Sequence, residues 1–323
     1  MKTQKTRYTF TALALVGLVS LSACADPSQA KESKESQAPT DAATAALSSP
    51  DQERPKVAVN KKAEKLVPEK IAADGKLTVV TAPGSAPLSF YATDNTTPVG
   101  NDADLAAALA DALGLELELV PVSWADWPLG IESSKYEAAI SNVTVTEERK
   151  KKFDFATYRE DLLGFYADKD SKISSIKKAD DVAGLKIIVG SGTNQEKILV
   201  DWDKANQAKG LKPVDFQYYD DDSASTLALL SGRADASFGP NASGAYKVAT
   251  ADELKQVGSF PGGWPDTAQV AVTTKKGNGL AKAAEVAIDG LIESGAYEQI
   301  LDKWGLSEEG ITDSKLNPPG LAD

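Results

Sequence analysis

The residues best suited to chemistry lie in SNVTVTEERKKKFDF, Ser141 to Phe155, where an apolar and polar alternation runs into six consecutive charges. Thr146 is a good N-cap, and Glu147 and Glu148 fall in the next turn, where acidic side chains suit the helix dipole. A short helical turn at that point carries Arg149 back over Thr144, at the carboxyl end of a strand, and leaves Lys150, Lys151 and Lys152 to solvent. A guanidinium so placed offers a carboxylate two parallel charge-assisted bonds, which fix orientation as well as affinity. A second anion feature is GSGTNQEKIL, where a strand ends at Gly190 and a helix begins after Thr193. Glycines let backbone approach a ligand, and the free N–H groups of a helix start favour negative charge. Together the two features suit a carboxylate held from both sides. The chain has no histidine and one cysteine, so serine–histidine and cysteine–histidine nucleophiles and histidine metal sites are excluded. Any catalysis would fall to carboxylates, lysine or tyrosine.

These residues need elements to position them. KLTVVTA reads as a buried strand. DADLAAALADALG reads as a helix with Leu105, Leu109 and Leu113 on one stripe, Asp102 or Asp104 near the N-cap and Gly114 at the stop. LELELV alternates by two, as a half-buried strand does, and a helix around Trp127 to Ser134 leads into the strand EAAISNV. Beyond the charged turn, LLGFYAD, LKIIVG, PVDFQYY, ADASFG and TAQVAVT are strand candidates. Helices begin near Asn194, Asp222 and Asn241, and GLAKAAEVAIDGLIESG and AYEQILDKWG close the series as two more. Such alternation predicts α/β architecture with largely parallel sheets covered by helices. The series restarts at LKIIVG after a strand-like crossing segment, which predicts two lobes. Open α/β sheets bind ligands at the carboxyl ends of their strands, so two facing lobes make a cleft.

With 42% hydrophobic and 25% charged residues in 323, the chain is of ordinary globular composition and long enough for more than one core. Lys2, Lys5 and Arg7 precede the apolar run FTALALVGLVSLSA, a secretory signal too short to read as a membrane span. LSAC, Leu21 to Cys24, resembles the bacterial lipobox, whose cysteine receives a diacylglyceryl group after cleavage. Cys24 is the single cysteine, so no intramolecular disulfide can form and an exported domain must rely on core burial. Two acyl chains would anchor durably, at about 0.8 kcal/mol per buried CH2. From Ala25 to about residue 70 the composition is that of a flexible, solvated tether. Loss of the three basic signal residues takes the net charge from -12 to -15, which argues against nucleic acid as a partner. The expected division is signal 1–23, lipidated cysteine and tether 24–70, first lobe 71–160, second lobe 161–268, return to the first lobe 269–306 and a C-terminal tail 307–323.

From about Lys76 to Leu306 the chain resembles the bacterial extracellular solute-binding proteins of family 3, the amino-acid receptors of ABC importers. The resemblance is carried by VGNDADLAAALADALG, KYEAAISNVTVTEERKKKFDFATY, VAGLKIIVGSGTNQEKIL, LLSGRADASFG and GAYEQILDKWG, the second and third being the most specific. It implies a two-lobed clamp of the periplasmic-binding-protein type II fold, hinged on two crossing strands and closing on one small molecule. It further implies that Arg149 grips a ligand α-carboxylate with support from Thr144, and that Asn142 lies one strand step earlier on the same face. Thr193 and Asn194 would donate hydroxyl and backbone N–H groups from the second lobe, while Trp127 and Trp124 would supply apolar contacts. Simple helix packing is the alternative for both tryptophans.

Three positions depart from the family pattern. The acid that holds the ligand ammonium after the DASFG strand is replaced by Pro240, followed by Asn241. Ser85 stands near the place of an aromatic, and Asn101 replaces an apolar residue. The ammonium would then meet Asp102 or Asp126 from the first lobe, or an uncharged bond from Asn241, unless the ligand is a carboxylate without a free α-amine.

The resemblance implies a lipid-anchored receptor on the outer face of the bacterial membrane, delivering a small carboxylated solute, an amino acid or derivative, to a permease and its ATPase. It would work as a monomer with no cofactor, metal or chemistry of its own. Two alternatives use the same fold: a lyase similar to cyclohexadienyl dehydratase, which would need a carboxyl of raised pKa in the cleft, and a ligand-binding partner of a membrane sensor.

Overall fold

The computed structural model describes residues 47–219 and 221–322. Cys24, the signal and the first part of the expected tether lie outside them.

The described chain opens with two single-turn helices, α1 (Lys61–Glu64) and α2 (Glu69–Ala72), before β1 (Lys76–Thr81). A small hairpin, β2 (Phe90–Tyr91) and β3 (Pro98–Val99), leads to α3 (Asn101–Leu113). The leucine stripe expected of α3 is its core face: Leu105, Leu109 and Leu113 are all buried. Gly114, at φ 72°, ends the helix by donating its N–H to the carbonyls of Ala110 and Asp111, the left-handed stop that glycine adopts without steric penalty. Asp102 and Asp104 fall in its first turn, near the N-cap as expected. The N-cap is Gly100, at φ 124°, where a Cβ would meet the Leu88 carbonyl oxygen at 2.4 Å.

The first sheet continues with β4 (Glu116–Pro121), α4 (Trp127–Glu132), β5 (Ala138–Ala139) and β6 (Phe153–Glu160). The second holds β7 (Leu162–Asp168), β8 (Lys186–Val189), α5 (Asn194–Ala208), β9 (Asp215–Gln217), α6 (Asp222–Leu230), β10 (Ala236–Pro240), α7 (Asn241–Ala251) and β11 (Leu254–Pro261). The chain then returns through β12 (Gln269–Lys275) to α8 (Leu280–Ser294) and α9 (Ala296–Trp304).

Strand order is β4-β1-β5-β12-β6 in one sheet and β11-β7-β10-β8-β9 in the other. The lobes are joined at Asp161, the one residue between β6 and β7, and again between β11 and β12. The sheets are mixed rather than largely parallel. β1 pairs in parallel with β4 and β5, and β8 with β9 and β10, but the strands entering or leaving a crossing, β6, β7, β11 and β12, pair antiparallel. A crossing strand leaves one lobe to enter the other, so it runs against the neighbour that carries the chain back.

Each sheet is packed on both faces. In the first lobe α3, α8 and α9 bury one face with leucine, isoleucine and alanine, while Trp127 and Ile131 of α4 bury the other with Val80, Val143 and Phe155. In the second, Trp202 of α5 packs on Phe165 and Phe260. Leu229 of α6 covers the opposite face with Ile188 and Leu254.

The described part of the expected flexible tether is folded. Within 47–70, Asn60 caps α1 with its side-chain oxygen and donates to the Val286 carbonyl at 3.2 Å. Arg54 donates to Asp104 at 3.0 Å, Ala63 is fully buried, and Val57 and Val67 pack on the first-lobe core. These apolar residues have no common period, so nothing local marked them as core-facing.

The C-terminal tail, over 307–322, is a strap across the described residues. Ser314 donates to the Thr157 carbonyl at 2.7 Å, and Asn317 exchanges bonds of 2.8 and 3.0 Å with the Phe155 backbone. Leu321 pairs its backbone with Val145 and Glu147 at 3.1 and 2.9 Å, while its side chain joins the core cluster of the second lobe. Lys150, expected in solvent, donates to the Pro318 carbonyl of this strap at 3.1 Å and to Glu147 at 2.9 Å. Lys152 donates to Glu132.

Candidate ligand site between the lobes

The carboxyl ends of β1, β5, β8 and β10 face one another across the gap, and a cavity of about 330 Å³ lies there, bounded by Ala82, Ser85 and Ser141 on one side and Gly190, Thr193 and Pro240 on the other. A larger groove of about 770 Å³ adjoins it, bounded by Trp127, Arg149, Asn194 and Leu321. Trp124 and Thr193 stand in the walls of both.

Arg149 opens a short 3-10 turn, Arg149–Lys151, and its N–H is capped by the Thr146 hydroxyl at 3.0 Å, as the sequence implied. Its side chain turns back over Thr144 and Nη1 donates to the Thr144 carbonyl at 2.9 Å. Nη2 reaches across the gap to the carbonyl of Gly192 at 3.1 Å. The guanidinium carbon lies 5.6 Å from the ring centroid of Trp124 and 5.9 Å from that of Trp127, within cation–π range. Burial pushes the Arg149 pKa down to about 10, opposed by Asp161 and Glu148, so the group stays charged at neutral pH. Among the described residues no carboxylate lies within ion-pair distance of it.

Thr193 caps α5, accepting the Glu196 N–H at 3.2 Å and donating its own proton to the Gly190 carbonyl at 2.6 Å. Asn194, the first residue of α5, is buried. Its side-chain nitrogen donates to Asp161 Oδ2 at 2.8 Å and to the Gly262 carbonyl at 2.9 Å. Thr144, buried on the first lobe, donates its hydroxyl to the same Asp161 oxygen at 2.7 Å. Gly262 is required beside it, since a Cβ there would stand 1.9 Å from that oxygen. Burial pushes the Asp161 pKa up, partly opposed by the Thr144 bond, Arg159, the Asn194 bond and Arg149.

Of the residues expected at the site, Arg149, Thr144, Thr193, Asn194, Trp124 and Trp127 converge at the lobe interface. Asn142 and Asn241 are held elsewhere. Asn142, in a left-handed conformation at φ 50°, accepts from Arg159 and donates its N–H to the Tyr158 hydroxyl at 3.1 Å. Asn241 accepts from Tyr166 at 2.9 Å and from Gln256 at 2.7 Å. Neither acid expected to reach an ammonium from the first lobe is positioned for it. Asp102 is enclosed under Tyr158, whose hydroxyl donates to it at 2.9 Å, and Asp126 is exposed and bonded to Ser123.

Sequence reasoning missed a buried polar group at the crossing. Arg159 forms an ion pair with Glu309 of the strap, and Asp102, Tyr158, Asn142 and Asp161 surround the pair. The available signal was YRED, Tyr158 to Asp161, three charges in a row where one strand ends and the next begins.

The model of the bacterial extracellular solute-binding proteins, family 3, matches residues 77–307. The chain belongs to this family. Among curated relatives of this family 3 protein, the L-cystine-binding protein TcyJ of Escherichia coli (strain K12) is 32% identical over 223 residues, 68% of this chain and 78% of the relative. The arginine-binding protein ArgT of Corynebacterium glutamicum is 26% identical, covering 78% and 81%. Among solved structures, an ancestral arginine-binding protein bound to arginine superposes with TM-score 0.62 at 29% identity, covering 71% of this chain and 98% of the other. A mutant of the arginine-binding protein from T. maritima gives TM-score 0.64 at 26% identity, over 75% and 99%. These neighbours share the type II two-lobed fold, and the strap beyond residue 307 lies outside the family match.

Proposed function

We propose that this family 3 protein is the receptor of an ABC importer and holds an amino acid by its α-carboxylate on the Arg149 fork. The observation that carries the reading is a half-buried guanidinium that reaches both lobes yet meets only carbonyl oxygens and two indole rings. An incoming carboxylate gives it charge-assisted bonds that carbonyls do not match. Closure then uses the ligand's higher affinity for the joined lobes. That relatives covered over 78% and 81% of their length are cystine- and arginine-binding proteins supports the amino-acid class. In this reading Cys24 bears the lipid that keeps the receptor on the outer face of the membrane, and a permease with its ATPase takes the ligand onward.

The test is calorimetry of the full chain with L-arginine and L-cystine. Arg149→Ala is expected to weaken binding by about 2–5 kcal/mol, since it leaves a desolvated carboxylate unpaired. Thermal stability should change little. An unchanged dissociation constant removes the assigned role.

One observation favours a second reading. Asp161 is a buried carboxyl of raised pKa at the lobe interface, the feature a dehydratase would need. Absence of decarboxylated product after incubation with prephenate or arogenate disposes of it.

A further inference from the structure

We propose that Asp161 accepts the ammonium of the bound amino acid, an assignment that rests on the receptor reading above. Asp161 is 3% exposed, yet among the described residues no lysine or arginine lies within ion-pair distance of it. A carboxylate taken that far from water holds its charge best when hydrogen-bonded and paired. It has the hydrogen bonds and lacks the pair. Both side-chain bonds it receives go to Oδ2, which leaves Oδ1 for another donor.

Its placement selects the partner. Thr144 touches both charged groups, its carbonyl accepting from Arg149 and its hydroxyl donating to Asp161. A cation short of an anion and an anion short of a cation are therefore separated by about one residue. An α-amino acid carries its carboxylate and its ammonium on one carbon, which matches that spacing. The charges also close. Arg159 is matched by Glu309 and Asp102 is enclosed under Tyr158, so Arg149 and Asp161 are the two unpaired charges joined through Thr144, and a zwitterion neutralises each in turn.

Access follows from the hinge. Asp161 sits between β6 and β7, and its two donors belong to opposite lobes. Separating the lobes breaks at least one of the two bonds and exposes the carboxylate to an entering ligand. Closing them around the ligand restores the bond and excludes water.

The experiment compares amino acids with counterparts that lack only the ammonium, using the full chain and titration calorimetry. The probes are L-arginine against 5-guanidinopentanoate, and L-cystine against 3,3′-dithiodipropionate. The native chain is expected to bind at least one of the two amino acids about thirtyfold or more tightly than its partner, the low end for an unpaired buried charge. Asp161→Asn, which keeps the shape, should abolish that preference by weakening the amino acid alone. Equal weakening of both members of a pair would assign Asp161 to holding the hinge and overturn the proposal. So would a native chain that does not discriminate within a pair, a result that needs no variant to fold. A native chain that binds neither amino acid removes the amino-acid reading itself, and the Asp161 role with it.

Discussion

Thr144 and Asn194 stand on different lobes and donate to the same oxygen, Oδ2 of Asp161, at 2.7 and 2.8 Å. The lobes are thus tied through one hinge carboxylate. Thr144→Val and Asn194→Ala should each lower the unfolding free energy by about 1–3 kcal/mol, because each leaves a buried carboxylate with one bond. The double variant should depart from the sum of the two, since both act on one oxygen. Urea denaturation of the four proteins measures this, and additivity within about 0.5 kcal/mol would show that the bonds act independently.

Leu321 pairs its backbone with the first lobe and buries its side chain with the second. Leu321→Ala removes a contact that exists only while the lobes are together, and buried leucine truncations are worth about 2–5 kcal/mol. Ligand release by stopped-flow fluorescence should be about tenfold faster or more. Unchanged release would mean that the strap follows the lobes without biasing them.

Trp127 and Trp124 should separate in their effects. Trp127 is 2% exposed and lies 5.1 Å from the ring of Phe153, so Trp127→Ala should remove about 3–5 kcal/mol of stability. Trp124 is half-buried and stands in both cavity walls. Trp124→Ala should change affinity for amino acids far more than the thermal midpoint. Midpoint and affinity moving together in both variants would contradict this division.

Asp102 gives a pH dependence of definite sign. Burial raises its folded pKa above the ordinary 3.8, chiefly by desolvation and despite Arg159 and the bonds from Tyr158 and Asn101. The folded state then binds the proton more tightly than the unfolded chain. Its contribution is complete below the ordinary value and is lost as pH rises through the raised one. Asp102→Asn should flatten the decline of the thermal midpoint as pH rises above about 4. An identical slope in both proteins would show that Asp102 does not titrate in this range.

Much of this fold is legible without coordinates because its signals are local. The Leu105, Leu109, Leu113 stripe, the Gly114 stop, the Thr193 cap and the Thr146 hydroxyl under Arg149 each depend on residues within a few positions of one another. The restart of the series at LKIIVG pointed to two lobes, and sequence resemblance added that they form a clamp. The strap and the packing of residues 47–70 were not legible, since Leu321, Val57 and Val67 find apolar partners only across the fold and follow no period.

The amino-acid sequence alone determined the α/β alternation, the exclusion of histidine and thiol chemistry, and the placing of an arginine at a strand end. Periodicity, caps and composition act over one or two turns of chain. Tertiary structure decided which charges are withdrawn from water: it enclosed Asp102 under Tyr158, matched Arg159 with Glu309 and set Asp161 between the lobes. Burial of a charge depends on what distant segments bring over it, and in Asp161 those segments are Thr144 and Asn194, fifty residues apart in the chain.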